Sequence, residues 1–176
     1  MTPGDQFGEN RVERLAAQHD RSTFSCGVPV IDSYLQRQAR QDSDRNLAAV
    51  YVLTPDSHTI VGFYTLSAAS IQPAELPEAI AKKLARLPIP ATLLGRLGVD
   101  ERAQGQLIGK FLLLHALWRA YLGSQQIASW GVLVDAKIGA RAFYLKYEFS
   151  PLTAQPDRLF LPMKTIEKLF ITPSPR

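Results

Sequence analysis

Gly105 and Gly109 sit among Arg102, Gln104, Gln106, Leu107, Ile108 and Lys110, directly ahead of the apolar run Phe111–Trp118. Each glycine costs about 1 kcal/mol in a helix relative to alanine. A chain tolerates that cost for close packing. It also tolerates it where bare N–H groups at a helix N-terminus must approach an anion. Taken alone, the stretch leaves both readings open.

Charge around the stretch favours an anion. From Lys82 to Lys110, the cations Lys82, Lys83, Arg86, Arg96, Arg102 and Lys110 face only Asp100 and Glu101. The resulting excess of +4 equals that of the whole chain. A local basic excess attracts phosphates, of a cofactor or of nucleic acid. An ordinary solvated lysine-rich helix accounts equally well for Lys82 and Lys83.

Several chemistries are excluded. Only three residues separate Gly105 from Gly109, and Phe111 follows Lys110, so this is no P-loop; nor is there a Gly-x-Gly-x-x-Gly fingerprint. The histidines His19, His58 and His115 are scattered, without a second ligand at metal spacing, so no metal is expected. His115 lies in an apolar run and reads as a packed or rim residue. Cys26, the one cysteine, cannot form an internal disulfide and suits a reducing compartment. It reads as a small, half-buried thiol.

The elements that must position the stretch follow from periodicity. Residues 1–10 read as frayed, and Arg11–His19 as a short strand and turn. Val30, Ile31, Tyr34, Leu35 and Ala39 have the spacing of one amphipathic helix. Leu47–Leu53 and Ile60–Ala68 flank Thr-Pro-Asp-Ser-His as a hairpin. Leu76–Pro88 predicts a short helix bounded by prolines. Pro90–Asp100 is an apolar strand whose Gly95 and Gly98 imply a bulge or a close backbone approach. A helix over Leu107–Leu122, a strand over Ile127–Ala136, a helix over Lys137–Phe149, two short extended runs and a terminal helical turn complete the pattern. At 176 residues, 46% hydrophobic and 20% charged, the chain reads as one α/β (α+β) domain. No apolar run reaches the roughly 18 residues of a membrane span, and no signal-peptide core is present, so a cytoplasmic protein is expected.

Two segments carry a resemblance. "LGVDERAQGQLIGKFLLLHAL" resembles the acetyl-CoA pyrophosphate loop of the GNAT N-acetyltransferase superfamily, with Gln104-Gly105-Gln106-Leu107-Ile108-Gly109 in the motif positions. "VDAKIGARAFYLKYEFSPL" resembles its following strand and helix, which close on an aromatic-Tyr-x-x-x-Gly-Phe signature, here Phe143 to Phe149. Together with "FSCGVPVIDSYLQRQARQD", "LLGRLGVD" and "RLFLPMKTI", these segments are similar to one branch, the TacT/AtaT-like toxins, over about residues 11–170.

The resemblance implies a mixed, mostly antiparallel sheet split at the acetyl-CoA site and flanked by helices. It implies acetyl transfer from acetyl-CoA to the α-amino group of aminoacyl-tRNA, without a metal. Leu97 and Val99 would line the pantetheine arm, Arg102 and Gln104–Lys110 the pyrophosphate, and Tyr144 would be the general acid. Lys82, Lys83, Arg86, Arg96 and Lys137 are the candidate tRNA contacts. A ribbon–helix–helix antitoxin and a homodimer are the expected partners. A GNAT enzyme for a small amine or protein N-terminus, or a non-catalytic acyl-CoA-binding scaffold, remain the alternatives.

Two departures stand out. Leu107 replaces the middle glycine of the loop, and Glu148 the small residue before Phe149. Leu107 is expected in ordinary helical dihedrals, its N–H still donating. A positive φ there would strain the leucine and weaken cofactor binding.

Overall fold

The computed structural model describes residues 4–84, 86–136 and 139–171. In chain order these form β1 (Gln6–Phe7), β2 (Asn10–Arg14), α1 (Pro29–Arg37), α2 (Ala39–Asp44), β3 (Ala49–Thr54), β4 (Gly62–Ile71) and α3 (Glu78–Ala81). Then come β5 (Ile89–Val99), α4 (Ile108–Ser124), β6 (Gly131–Asp135), α5 (Arg141–Leu145), β7 (Ser150–Pro151), β8 (Arg158–Pro162) and α6 (Met163–Phe170). The strands form an eight-stranded sheet in the order β1-β2-β3-β4-β5-β6-β8-β7. β5 and β6 are parallel and α4 connects them in sequence; β1–β2–β3–β4 and β6–β8–β7 pair antiparallel. The mixed, mostly antiparallel α/β class is as expected. Among the described residues, no helix is long and apolar enough to cross a membrane.

The chain divides into two compact units, one running to Ser67 and joined by Gly95–Ala116, the other comprising Ala68–Leu94 and the chain from Leu117 onward. In the first unit the predicted hairpin forms, and Asp56 closes its turn. The Asp56 carboxylate accepts the N–H groups of His58 and Thr59 and the Thr59 hydroxyl, which hold it well below the usual carboxylate range. The core gathers Phe24, Tyr34, Leu35, Val50, Val52, Ile60 and Phe63. Gly98 is a close approach, since a Cβ there would come within 3.1–3.4 Å of Ile31, Phe63 and Phe24.

Two expectations for this unit are corrected. The single helix breaks at Gln38 into α1 and α2. Tyr34, Leu35 and Ala39 are buried as read, but Val30 is 64% exposed, because α1 begins at Pro29 and its first turn faces solvent. Nor is Gly4–Asn10 frayed: β1 pairs with β2, the Phe7 ring lies 5.0 Å from that of Phe111, and Asp5 meets His115 Nε2 at 3.1 Å. His115 is fully buried, its Nδ1 2.8 Å from the Tyr64 hydroxyl.

In the second unit, Thr92–Leu94 of β5 are in register with Val132–Val134 of β6, and Ile71, Leu76, Ile89, Ala91, Leu133, Leu152 and Phe160 form a core. The helix read over Leu76–Pro88 shrinks to α3. The N–H of Lys83 turns back to Ile80 in a tighter three-residue bond, so Lys82 and Lys83 lie in a turn rather than on a helix. The helix read to Phe149 stops at Leu145. Tyr147 and Glu148 close the end with N–H bonds to Tyr144 and Leu145, and Glu148 takes φ 67°.

Candidate functional site

The loop between β5 and α4 is organised by one carboxylate. Asp100 is only 2% exposed and caps a short 3-10 turn over Glu101–Ala103. It accepts the Arg102 N–H at 3.0 Å, Arg102 Nε at 2.7 Å and Nη2 at 3.0 Å, and the Ser25 N–H at 3.2 Å. Burial pushes its carboxyl up, but the donors from Arg102 and Ser25 outweigh burial and hold it below the usual range. The Glu101 N–H donates to the Ser25 carbonyl at 2.8 Å. Gln104 Nε2 donates to the carbonyls of Cys26 (3.1 Å) and Val99 (3.0 Å). Residues 25–26 and 99–104 are thereby stitched together.

Beyond this brace the backbone turns left-handed twice, at Gly105 (φ 82°) and Leu107 (φ 62°). A Cβ at Gly105 would meet nothing within 4 Å, so the space beside it is open. The Phe111 N–H donates to the Leu107 carbonyl at 3.0 Å and starts α4. By helix geometry the N–H groups of Ile108, Gly109 and Lys110 then lie outside the intrahelical ladder, at the positive end of the dipole. Such a turn of donors at a 17-residue helix is an anion nest.

The structure corrects several expected roles inside this stretch. Leu107 is not in helical dihedrals; it occupies the left-handed geometry that suits glycine, with its side chain 70% exposed. Ile108 is buried, its side chain packed toward Gly62, so only its N–H is offered to a ligand. Arg102 is committed to Asp100, although its side chain remains 63% exposed. The side chain of Gln104 braces the loop. Gln106 and Lys110 are exposed. Leu97 and Val99 are half-buried in the part of β5 that continues past Leu94, and the Val99 carbonyl is taken by Gln104.

Tyr144 belongs to the other unit. Its ring is 6% exposed, edge-on to Phe143 (5.1 Å) and Phe149 (5.4 Å). The hydroxyl makes no hydrogen bond among the described residues, yet no buried polar side-chain atom there lacks a partner. The ring is therefore buried and its hydroxyl is not wholly enclosed. Burial pushes the phenol well above its ordinary value and keeps its proton on. Tyr147 is half-buried, against Phe143 at 5.2 Å, so the two tyrosines differ clearly in environment.

Lys82, Lys83 and Arg86 are exposed in the second unit, Lys82 lying 3.3 Å from Glu78. Arg96 belongs to the first unit and is stacked on Tyr34, its Cζ 3.6 Å from the ring centroid. Lys137 lies outside the described residues. Among the described residues no cluster of His, Cys, Asp or Glu could hold a metal ion. His19 accepts the Ala16 N–H on Nδ1, which leaves Nε2 to donate to Glu13 at 3.1 Å. The Cys26 thiol is pushed up to about 12 by burial and by Asp32, and is inert at neutral pH. Sequence reasoning missed the Asp100 brace and the Arg96–Tyr34 stack. An aspartate directly after a strand is a capping signal that marks the first; nothing local marks the second.

A mostly antiparallel sheet with β5 and β6 parallel, a nest of donors where β5 passes into α4, and a buried tyrosine without a hydrogen-bond partner among the described residues define a GNAT-type protein. No family model matches the chain. It is 35% identical over 162 residues to the probable toxin TacT of Sinorhizobium fredii, covering 86% of this chain and 90% of that protein. It is 32% identical over 163 residues to the tRNA-acetylating toxin of Mycobacterium tuberculosis, covering 92% and 97%. Among solved structures, AtaT complexed with acetyl-methionyl-tRNAfMet superposes with a TM-score of 0.86 at 30% identity, covering 92% and 99%. A tyrosine-to-phenylalanine mutant of AtaT, bound to the C-terminus of the antitoxin AtaR and acetyl-CoA, gives 0.79 at 28%, covering 92% and 97%. The chain belongs to the TacT/AtaT-like family of GNAT-type toxins.

Proposed function

We propose that this chain is a toxin acetyltransferase that moves the acetyl group of acetyl-CoA to the α-amino group of aminoacyl-tRNA, arresting translation until a cognate antitoxin neutralises it. The observation that carries the reading is the nest at Gly105–Lys110, in a chain similar over nearly its whole length to a tRNA-acetylating toxin. The donor set fits a pyrophosphate. It offers successive N–H groups at a long helix with open space beside Gly105; of the carboxylates at the brace, Asp100 is neutralised by Arg102, Asp32 takes the Cys26 N–H, and Glu101 is exposed.

Acetyl-CoA, when bound, supplies an activated thioester. The N–H groups of Gly105–Lys110 hold its phosphates, and Lys110 adds charge. The β5 backbone at Leu97 and Val99 aligns the pantetheine arm like an added strand, and an N–H near Val99 polarises the thioester oxygen. The α-amine of an aminoacyl ester is less basic than a lysine, so its neutral form attacks without a strong base. As the C–N bond forms and the C–S bond breaks, Tyr144 gives its proton to the sulfur. The surplus ammonium proton returns through water to the phenolate.

Lys82, Lys83, Arg86, Arg96 and Lys137 are the proposed phosphate contacts of tRNA. A ribbon–helix–helix antitoxin, a homodimer, a single GNAT-type domain and a cytoplasmic setting complete the reading. The test is chemical. With labelled acetyl-CoA and total charged tRNA, label released by mild base should appear as N-acetyl-amino acid, and a cell-free extract should stall and recover on adding a peptidyl-tRNA hydrolase. Label on protein or on a small amine instead would transfer the conclusion to an ordinary GNAT enzyme.

A further inference from the structure

Arg96 is fixed at both ends. Its backbone N–H donates to the hydroxyl of buried Thr65 at 3.1 Å, and its guanidinium carbon sits 3.6 Å over the ring centroid of buried Tyr34. Tyr34 is in turn tied through its hydroxyl to Asp42 Oδ2 at 3.1 Å. Burial first, and then Asp42, push the Tyr34 phenol up to about 12, so the ring stays neutral and the stack persists across physiological pH. No carboxylate lies within ion-pair distance of Arg96 among the described residues, unlike Arg11, Arg40, Arg102 and Arg158.

A half-buried guanidinium without an anion is an unfinished site. The cation–π contact uses one face of the plane and offsets part of the desolvation, but leaves the fork of N–H donors along the edge unspent. Rotamer entropy, normally a large part of what arginine loses on binding, is already lost in the free protein. The fork matches a phosphate or carboxylate. Arg96 also lies in β5 directly before Leu97, whose backbone is proposed above to align the acyl arm. In an aminoacyl-tRNA the amino acid's own carboxyl is esterified, so the anion nearest the reacting amine is the phosphodiester before the terminal nucleoside.

We infer that Arg96, held over the Tyr34 ring, is a preorganised binding residue for that 3′-terminal phosphodiester of charged tRNA. The inference rests on the aminoacyl-tRNA reading above. It makes Arg96 a substrate-binding residue and Tyr34 the residue that positions it.

Two acceptors separate the outcomes: charged tRNA, and an aminoacyl-adenosine without the phosphodiester. Arg96→Gln should raise KM for charged tRNA by about 10–100-fold, the range of a charge-assisted bidentate contact. It should leave kcat/KM for the aminoacyl-adenosine and KM for acetyl-CoA within twofold. Arg96→Lys keeps the charge without the fork and should fall between. Tyr34→Leu removes the stacked ring and should raise KM for charged tRNA toward the Arg96→Lys value, a shift a merely structural Tyr34 would not produce. Equal losses on both acceptors, or an unchanged KM for tRNA, would overturn the inference while leaving the function standing. If Arg96→Gln does not fold, the Arg96→Lys split between acceptors decides alone. A wild-type enzyme that acetylates small amines but no charged tRNA would overturn the function and the inference together.

Discussion

Asp100 and Arg102, two residues apart, are joined three times: the backbone N–H, Nε and Nη2 of Arg102 all reach the buried Asp100 carboxylate within 2.7–3.0 Å. The entry to the nest is therefore shaped by charge as well as by glycine. Asp100→Asn keeps the size and one acceptor but loses the ion pair. It should cost about 1–2 kcal/mol in urea melts, the exposed arginine end being discounted for solvent. The pH dependence follows from the depressed carboxyl. Its stabilisation is complete above the ordinary aspartate value near 4 and is lost as pH falls through the lower folded value. As pH falls below about 4 the wild type should lose more stability than Asp100→Asn; parallel profiles would show that the pair does not matter.

Leu107 carries a backbone strain that glycine would relieve. A left-handed leucine costs about 1–2 kcal/mol, offset in part by the greater freedom of glycine in the unfolded chain. Leu107→Gly should gain about 0.5–1 kcal/mol, or roughly 1–4 °C in melting temperature. Because the free protein already holds φ 62°, the strain is a cost of folding and not of binding. Calorimetry should find acetyl-CoA affinity within twofold of wild type. A large gain in affinity would mean that Leu107 impairs the site itself.

Gly109→Asp should abolish acetyl-CoA binding without unfolding the protein. An aspartate in the first turn of α4 favours the helix through its dipole, yet it places a second anion where the pyrophosphate belongs. Unchanged binding by a folded variant would remove the nest from the mechanism.

Tyr144→Phe removes a hydroxyl that bonds to nothing among the described residues, so thermal stability and acetyl-CoA affinity should barely change. Turnover should fall by about 10²–10⁴-fold, the range of a lost general acid. Tyr147→Phe should remain active. The reverse pattern would assign the acid to Tyr147.

Charge reversal at Lys82, Lys83 and Arg86 should weaken tRNA binding and flatten its salt dependence by about 0.7–0.9 in the log–log slope per lost phosphate contact. These side chains are exposed, so stability and acetyl-CoA affinity should survive. A slope that does not change would place the tRNA elsewhere.

Period and punctuation made most elements legible in the sequence: the hairpin around Asp56, the strand with Gly98 and the helix beginning near Gly109 all form where their residue types require. Helix lengths were less legible. One periodic face over Val30–Ala39 does not reveal a break at Gln38, and α3 stops after four residues because its carbonyls are taken by a tightening turn. In the candidate site, residue types marked the nest but not its dihedrals. Leu107 and Glu148 take the left-handed geometry that their side chains disfavour, because the surrounding chain imposes it. The Arg96–Tyr34 stack joins residues distant in sequence, and no local pattern encodes it.

The border between the two compact units falls inside β4, β5 and α4, so the chain passes between them three times and neither unit is a continuous stretch. On the ribosome this sets an order of birth. The unit with the nest and Arg96 has all its residues once Ala116 has emerged, whereas the unit with Tyr144 still awaits β6, β8 and α6. A nascent copy therefore has the residues of the proposed donor nest before those of the proposed proton donor Tyr144.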